Sequence, residues 1–211
     1  MKLKLTYALL IFFSGYSSHA SEPVHVEVPL YDQVDIDELD DNKKEAIIFK
    51  KRPFINTYWH PEYVPSIRIC KSSGVTEARL NKALDYWRRL GYSFGQIITD
   101  EGSIICANGG ARGEITILLV TNDLPLEGNL ALTKTHFYKE SKEIIKSQIF
   151  IHSFAAKKER VLEHEIGHAL GWSHFNRRYH LMHHDYRSGG YDSHGLTKRE
   201  YDSQILNLAG E

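Results

Sequence analysis

Cysteine, methionine and proline are scarce in this 211-residue chain, which has two, two and six of them. Cys70 and Cys106 allow one disulfide and no cysteine-rich framework. Neither sign of charge is in excess, since 26 Lys and Arg stand against 27 Asp and Glu. A net charge of −1 gives no electrostatic case for nucleic acid. The one long apolar run lies at the N-terminus, so no membrane anchor is expected further on. Internal repeats and low-complexity tracts are missing as well. The length suits one domain with small extensions, and no exposed apolar stripe argues against a monomer.

The apolar run, Leu5 to Phe13, follows Lys2 and Lys4 and precedes Ser18-His19-Ala20, a small-x-small cleavage pattern. It is too short to span a bilayer, which takes about 20 residues. This predicts a signal peptide over 1–20 and a secreted protein, extracellular or periplasmic, whose mature chain begins near Ser21. No cysteine follows Ala20, so no lipid anchor is expected. In such a compartment a single cysteine pair favours a Cys70–Cys106 disulfide. Residues 21–55 then form an acidic leader, with Asp32, Asp35, Asp37, Glu38, Asp40, Asp41 and Glu45 crowded together. It reads either as a solvated arm or as a short propeptide. The compact domain is expected over 56–211.

Within it, Ile67 to Cys70 alternates apolar and polar residues as a strand does. Thr76 caps a helix running through Leu90, with Leu80, Leu84 and Trp87 at helical spacing and Gly91 ending it. Tyr92 to Thr99 reads as a second strand, and a polar turn leads to a loop at Gly109-Gly110. The β-branched run Glu114 to Val120 suits a buried central strand. Two more strands follow, Leu130 to Tyr138 and Lys146 to His152. A helix is expected from Lys157 to Leu170.

That last helix carries His164-Glu165-Ile166-Gly167-His168, continued by Gly171 and His174. Residues four apart share a helix face, so His164 and His168 can aim at one ion. Gly171 can end the helix left-handed and let the chain return His174 as a third ligand. Three protein ligands leave a fourth position for water, the pattern of a catalytic zinc site. Glu165, about 100° further round the helix, is placed to act as a general base. The plain alternative, an amphipathic helix with solvated histidines, loses ground because Gly171 and His174 fall at the required offsets and Leu181-Met182 follows at a plausible distance.

Over Val161 to the C-terminus the chain resembles the metzincin zinc metallopeptidases, and within them the matrixins. Leu181-Met182, then Tyr186, then Leu196-Thr197 follow the order of that family. The resemblance implies an α+β fold: a twisted, mostly parallel five-stranded sheet with an antiparallel edge strand, two long helices, and an irregular C-terminal part with a methionine turn and a final helix. It implies that His164, His168 and His174 bind one catalytic zinc and that Met182 forms an apolar floor beneath them. Tyr186 is a candidate for the wall of a substrate pocket or for a hydrogen bond to the reaction intermediate, the plain alternative being an aromatic residue that simply packs. It implies too that Leu130 to Tyr138 is the edge against which an extended protein or peptide substrate pairs. The chain departs from the family in His183-His184-Asp185. It also has no cysteine-switch propeptide, no evident structural-zinc or calcium loop, and no hemopexin-like domain.

The activity implied is that of a zinc metalloendopeptidase, in which a zinc-bound water attacks the peptide carbonyl with Glu165 taking its proton. Two alternatives stay open at this stage: an amidase acting on cell-wall peptides, and a non-catalytic zinc-binding surface protein on a peptidase scaffold. One cysteine capping the metal is the alternative to the disulfide, and an aspartate of the leader capping it is the propeptide reading. The spare histidines at 180, 183, 184 and 194 are expected to be exposed, or one of them to join a second metal.

Overall fold

The computed structural model describes residues 24–27 and 52–208, apart from 101, 122–125 and 127. The expected signal peptide and all of the leader but 24–27 and 52–55 lie outside the described residues. Among those described are six strands: β1 (Val24–Glu27), β2 (Ser66–Cys70), β3 (Ile97–Asp100), β4 (Glu114–Leu119), β5 (Ala131–Phe137) and β6 (Ile144–Ile151). Four α-helices accompany them: α1 (Glu77–Arg89), α2 (Ile104–Ala107), α3 (Val161–Leu170) and α4 (Lys198–Leu208).

The strands form one sheet in the order β1-β5-β6-β4-β2-β3. β3, β2, β4 and β6 run parallel, while β5 is antiparallel to β6. Parallel strands are covered on both faces, and the inner strands read accordingly: Ile67, Ile115, Ile117, Ile149 and Ile151 are wholly buried. The five expected strands are present, four of them parallel and β5 antiparallel. β1 adds a sixth strand antiparallel to β5, from Val24 opposite Phe137 to Glu27 opposite Lys134. β5 is therefore not the edge over that stretch. In a five-stranded sheet its outward N–H and C=O groups would lack ladder partners, and a strand from the leader supplies them.

Helix α1 begins where expected, with the Thr76 side chain accepting the Arg79 N–H, and it buries Leu80, Ala83, Leu84 and Trp87. It packs on α3, which in turn packs on β5 and β6. The Trp87 indole donates to the Glu163 carbonyl at 2.9 Å, and Arg79 pairs with the buried Glu163 carboxylate at 2.6 Å. These contacts fix how far α3 stands from α1.

Three elements depart most from the sequence reading. Helix α3 starts at Val161 rather than Lys157, because Arg160 has a left-handed backbone (φ 66°) that cannot continue a helix backwards. The expected strand Tyr92 to Thr99 shrinks to β3. Tyr92 instead turns its ring into the core, 5.2 Å from the Trp87 ring and 5.7 Å from that of Tyr201. The polar turn before Gly109 contains a short helix, α2, capped by the Ser103 side chain.

Cys70 and Cys106 form a disulfide that ties the end of β2 to α2. Beside it Arg68 makes a buried bridge across three strands, 2.8 Å to Asp100 and 2.7 Å to Glu114. Both carboxylates are lowered, Asp100 strongly and chiefly by hydrogen bonds from Ser103, Glu114 chiefly by the one from Arg68.

Candidate metal centre

The site is built outward from the C-terminal end of α3. A helix leaves its last four carbonyls without intrahelical partners, and a buried end must find them elsewhere. Here the Gly171 N–H caps the helix, and Trp172 donates its N–H to the Gly167 carbonyl at 3.0 Å. The Ala169 carbonyl accepts from the Trp59 indole at 2.9 Å and the Ser147 hydroxyl at 3.1 Å. The Tyr201 hydroxyl donates to Leu170 at 2.8 Å, and the Asn56 N–H to Gly171 at 3.1 Å. Gly171 itself has φ 108°, and a Cβ there would collide with the Thr57 carbonyl. The end of α3 is thus locked, and the turn that returns His174 leaves from a fixed point.

The three histidines come together. Nε2 of His168 lies 3.0 Å from Nε2 of His164 and 3.1 Å from Nε2 of His174, and the remaining pair is 3.3 Å apart. For His164 and His168 the tautomer follows from the other ring nitrogen. Nδ1 of His164 faces the Leu181 carbonyl at 2.8 Å, and Nδ1 of His168 faces that of Trp172 at 2.7 Å. A carbonyl only accepts, so each Nδ1 carries the hydrogen and each Nε2 presents a bare lone pair. Bare lone pairs cannot hydrogen-bond to one another. A tetrahedral ion with 2.0–2.1 Å bonds to nitrogen sets its ligand nitrogens about 3.3–3.4 Å apart, close to the spacing seen.

Protonation agrees with that reading. Burial drives His164 down to about 3 and His168 to about 4, and His174 falls further, for the same reason first and then through His168. All three are neutral at physiological pH, as metal ligation requires. They are the one group of histidine, cysteine or carboxylate side chains among the described residues placed to hold a metal ion.

Glu165 is 7% exposed, and Thr133 of β5 donates its hydroxyl to Oε2 at 2.7 Å. Burial raises this carboxyl to about 7, against the opposing pull of the Thr133 bond. Nothing in the sequence marks Thr133, because its role arises only when β5 is laid against α3. Met182 is fully buried beneath the helix, and a Cβ on Gly167 would strike its sulfur. Tyr186 is 36% exposed, with the Arg160 guanidinium 4.5 Å from its ring centre.

The expectation for the spare histidines is corrected at His180, which has no exposed surface. Its Nδ1 accepts the Met182 N–H at 3.1 Å, and its Nε2 lies 2.9 Å from the His194 carbonyl, so it pins the turn that carries Met182. His183 and His184 stack at 4.7 Å, the first half-buried and the second exposed, and His194 is exposed. None of the four joins a second metal group among the described residues.

No protein-family model matches the chain, and no curated protein matches it in sequence. Among solved structures, the crystal structure of metalloproteinase-II from Bacteroides fragilis superposes with a TM-score of 0.42 at 13% identity. The overlap covers 78% of this chain and 60% of that one, so the chain spans less than two thirds of that protein. At this distance the likeness carries no argument, and the reading of the site stands on its own geometry.

Proposed function

We propose that the protein is a secreted zinc-dependent endopeptidase of metzincin type, with His164, His168 and His174 holding the metal and Glu165 as the general base. The observation that carries this reading is the convergence of three imidazole nitrogens at 3.0–3.3 Å beside a buried carboxyl raised to about 7. A purely structural zinc site is closed by a fourth protein ligand, and no fourth candidate stands with these three among the described residues. Such a site also has no need of a neighbouring carboxyl tuned to take and return a proton near neutral pH.

When bound, the ion would supply Lewis acidity for a water molecule and for the carbonyl of a peptide bond. The rest of the chemistry belongs to side chains. The Leu181 and Trp172 carbonyls hold the rings of His164 and His168 in orientation through their Nδ1–H groups. Thr133 occupies Oε2 of Glu165, while Oε1 accepts no bond from a described residue. That free oxygen would take the proton of the attacking water and pass it to the departing amine. Met182 is read as the floor of a methionine turn, and the stretch 131–133 of β5, which ends at Thr133, as the main-chain rail for an extended substrate.

The test is digestion of a mixed protein substrate by the purified chain, with a chelator and with zinc restored. New termini read by mass spectrometry that vanish with the chelator and return with zinc support the proposal. Release of fragments from purified cell wall with intact proteins untouched would move the substrate to wall peptides. No zinc-dependent cleavage of either would overturn the reading.

A further inference from the structure

Arg160 is the residue whose surroundings the metal site leaves unexplained. It sits one turn before His164, whose N–H donates to the Arg160 carbonyl at 2.8 Å. Its backbone is left-handed, at φ 66°, a conformation that non-glycine residues hold only when their surroundings require it. The side chain then lies over the Tyr186 ring, 4.5 Å from guanidinium carbon to ring centre. It also faces Gly189, where an added Cβ would come within 3.3 Å of Nη1. Lys158 approaches the same tyrosine ring at 5.7 Å and the Phe154 ring at 5.6 Å. Phe154 and Tyr186 are 61% and 36% exposed, so this aromatic and cationic patch opens to solvent.

The nearby carboxylates are engaged elsewhere. Glu163 pairs with Arg79, Glu159 with Lys82 and Asp192 with Arg177. Asp185 accepts the Ser188 hydroxyl and the Arg187 N–H. Among the described residues neither Arg160 nor Lys158 has an ion-pair partner, and no hydrogen bond takes up the Arg160 guanidinium. A guanidinium stacked on an aromatic face keeps its N–H donors in the plane, pointing outward in the fork that fits a carboxylate. Half-buried Arg160 therefore keeps its five guanidinium donors available to an incoming carboxylate.

We propose that Arg160, supported by Lys158 and held on Tyr186, selects substrates with an acidic side chain beside the scissile bond. This deepens the peptidase reading above and rests on it. The recognised group is a carboxylate, taken in the two-pronged fashion that arginine allows, within one turn of helix from the first metal ligand. Tyr186 serves as the stacking platform for the arginine as much as a wall. The sequence signal, legible only afterwards, is a cation four residues before the first histidine of the motif.

The experiment compares extended peptides that differ only in carrying Glu, Gln, Leu or Lys at each position flanking the cleaved bond. Cleavage and, separately, equilibrium binding of fluorescent versions are measured for the wild type, R160G and R160E. Glycine keeps the left-handed backbone without cost, so R160G removes the side chain alone. The wild type is expected to favour Glu over its neutral isostere Gln by tenfold or more at one position. R160G should abolish that ratio, and R160E should turn the preference toward Lys. A wild type indifferent to charge at every position, or R160G retaining the ratio, would overturn the assignment. If no peptide is cleaved, binding decides separately: Glu-selective binding lost in R160G would keep the carboxylate site while the peptidase reading fails, and charge-blind binding would sink the site itself.

Discussion

The hydroxyl of Thr133 donates to Oε2 of Glu165 at 2.7 Å, joining β5 to α3 at the carboxyl beside the three histidines. Burial raises this carboxyl to about 7 and the Thr133 bond restrains the rise. Thr133→Val keeps the shape and removes the donor. The acid limb of the kcat/KM profile should move to higher pH, by about one unit, the scale of one hydrogen bond to a charged group. Activity at pH 6 should then fall several-fold more than at pH 8. An unmoved limb would remove Thr133 from the account.

Gly167 has no room for a side chain, since a Cβ would meet the Met182 sulfur and come within 2.9 Å of the Trp87 ring. Gly167→Ala should destabilise the protein by about 1–3 kcal/mol, as overpacking of a filled core does. The measurement is chemical denaturation of the variant alone and in a Met182→Ala background. The penalty should shrink when the methionine is shortened. An equal penalty in both backgrounds would mean that Trp87 alone sets the limit.

Metal removal should couple stability to pH with a definite sign. His164 and His168 are lowered from 6.5 to about 3 and about 4. The unfolded chain therefore takes up protons that the folded one refuses. Stability present above pH 6.5 is lost as pH falls toward 4. Glu165 works the other way: its contribution is complete below pH 4.5 and is lost as pH rises through about 7. In a thermal melt the metal-free protein should lose Tm between pH 6.5 and 4.5. Glu165→Gln should raise its Tm at pH 8 and change it little at pH 4.5. Zinc at a thousand times its Kd should add about 4 kcal/mol at pH 7 and less at pH 5, where protons compete for the imidazoles. A Tm indifferent to zinc would contradict the metal site.

Strand β1 ends opposite Lys134, one residue short of Thr133. A chain beginning at residue 52 lacks β1 but keeps every residue of the described hydrophobic cluster. It should expose the outer edge of β5 and show a lower KM for extended peptides, with kcat little changed. Peptides too short to reach 134–137 should show no such gain. An unchanged KM for long peptides would mean that β1 does not compete with substrate.

How much of this was legible in the sequence depends on how local each feature is. The metal ligands lie within eleven positions on one helix and the turn after it, so spacing alone places them. The cap at Thr76 and the stop at Gly171 are likewise local, and both stand where expected. The final helix opens with a reciprocal cap between Thr197 and Glu200, also readable in advance. The features missed are contacts between distant segments. Thr133 meets Glu165 only through the packing of β5 on α3, and β1 pairs with a strand more than a hundred residues away. His180 looked like one polar residue among several, yet two backbone contacts bury it. Arg68 sat in a strand pattern with no sign that Asp100 and Glu114 would meet it.

The central claim is that three histidines hold a metal whose chemistry depends on Glu165. The most direct measurement is zinc content and protein cleavage in the same samples of wild type and Glu165→Gln. The account predicts one equivalent of zinc in both, cleavage by the wild type, and loss of turnover by several orders of magnitude in the variant. Equal cleavage by the two proteins, or a wild type that takes up no zinc, would contradict it.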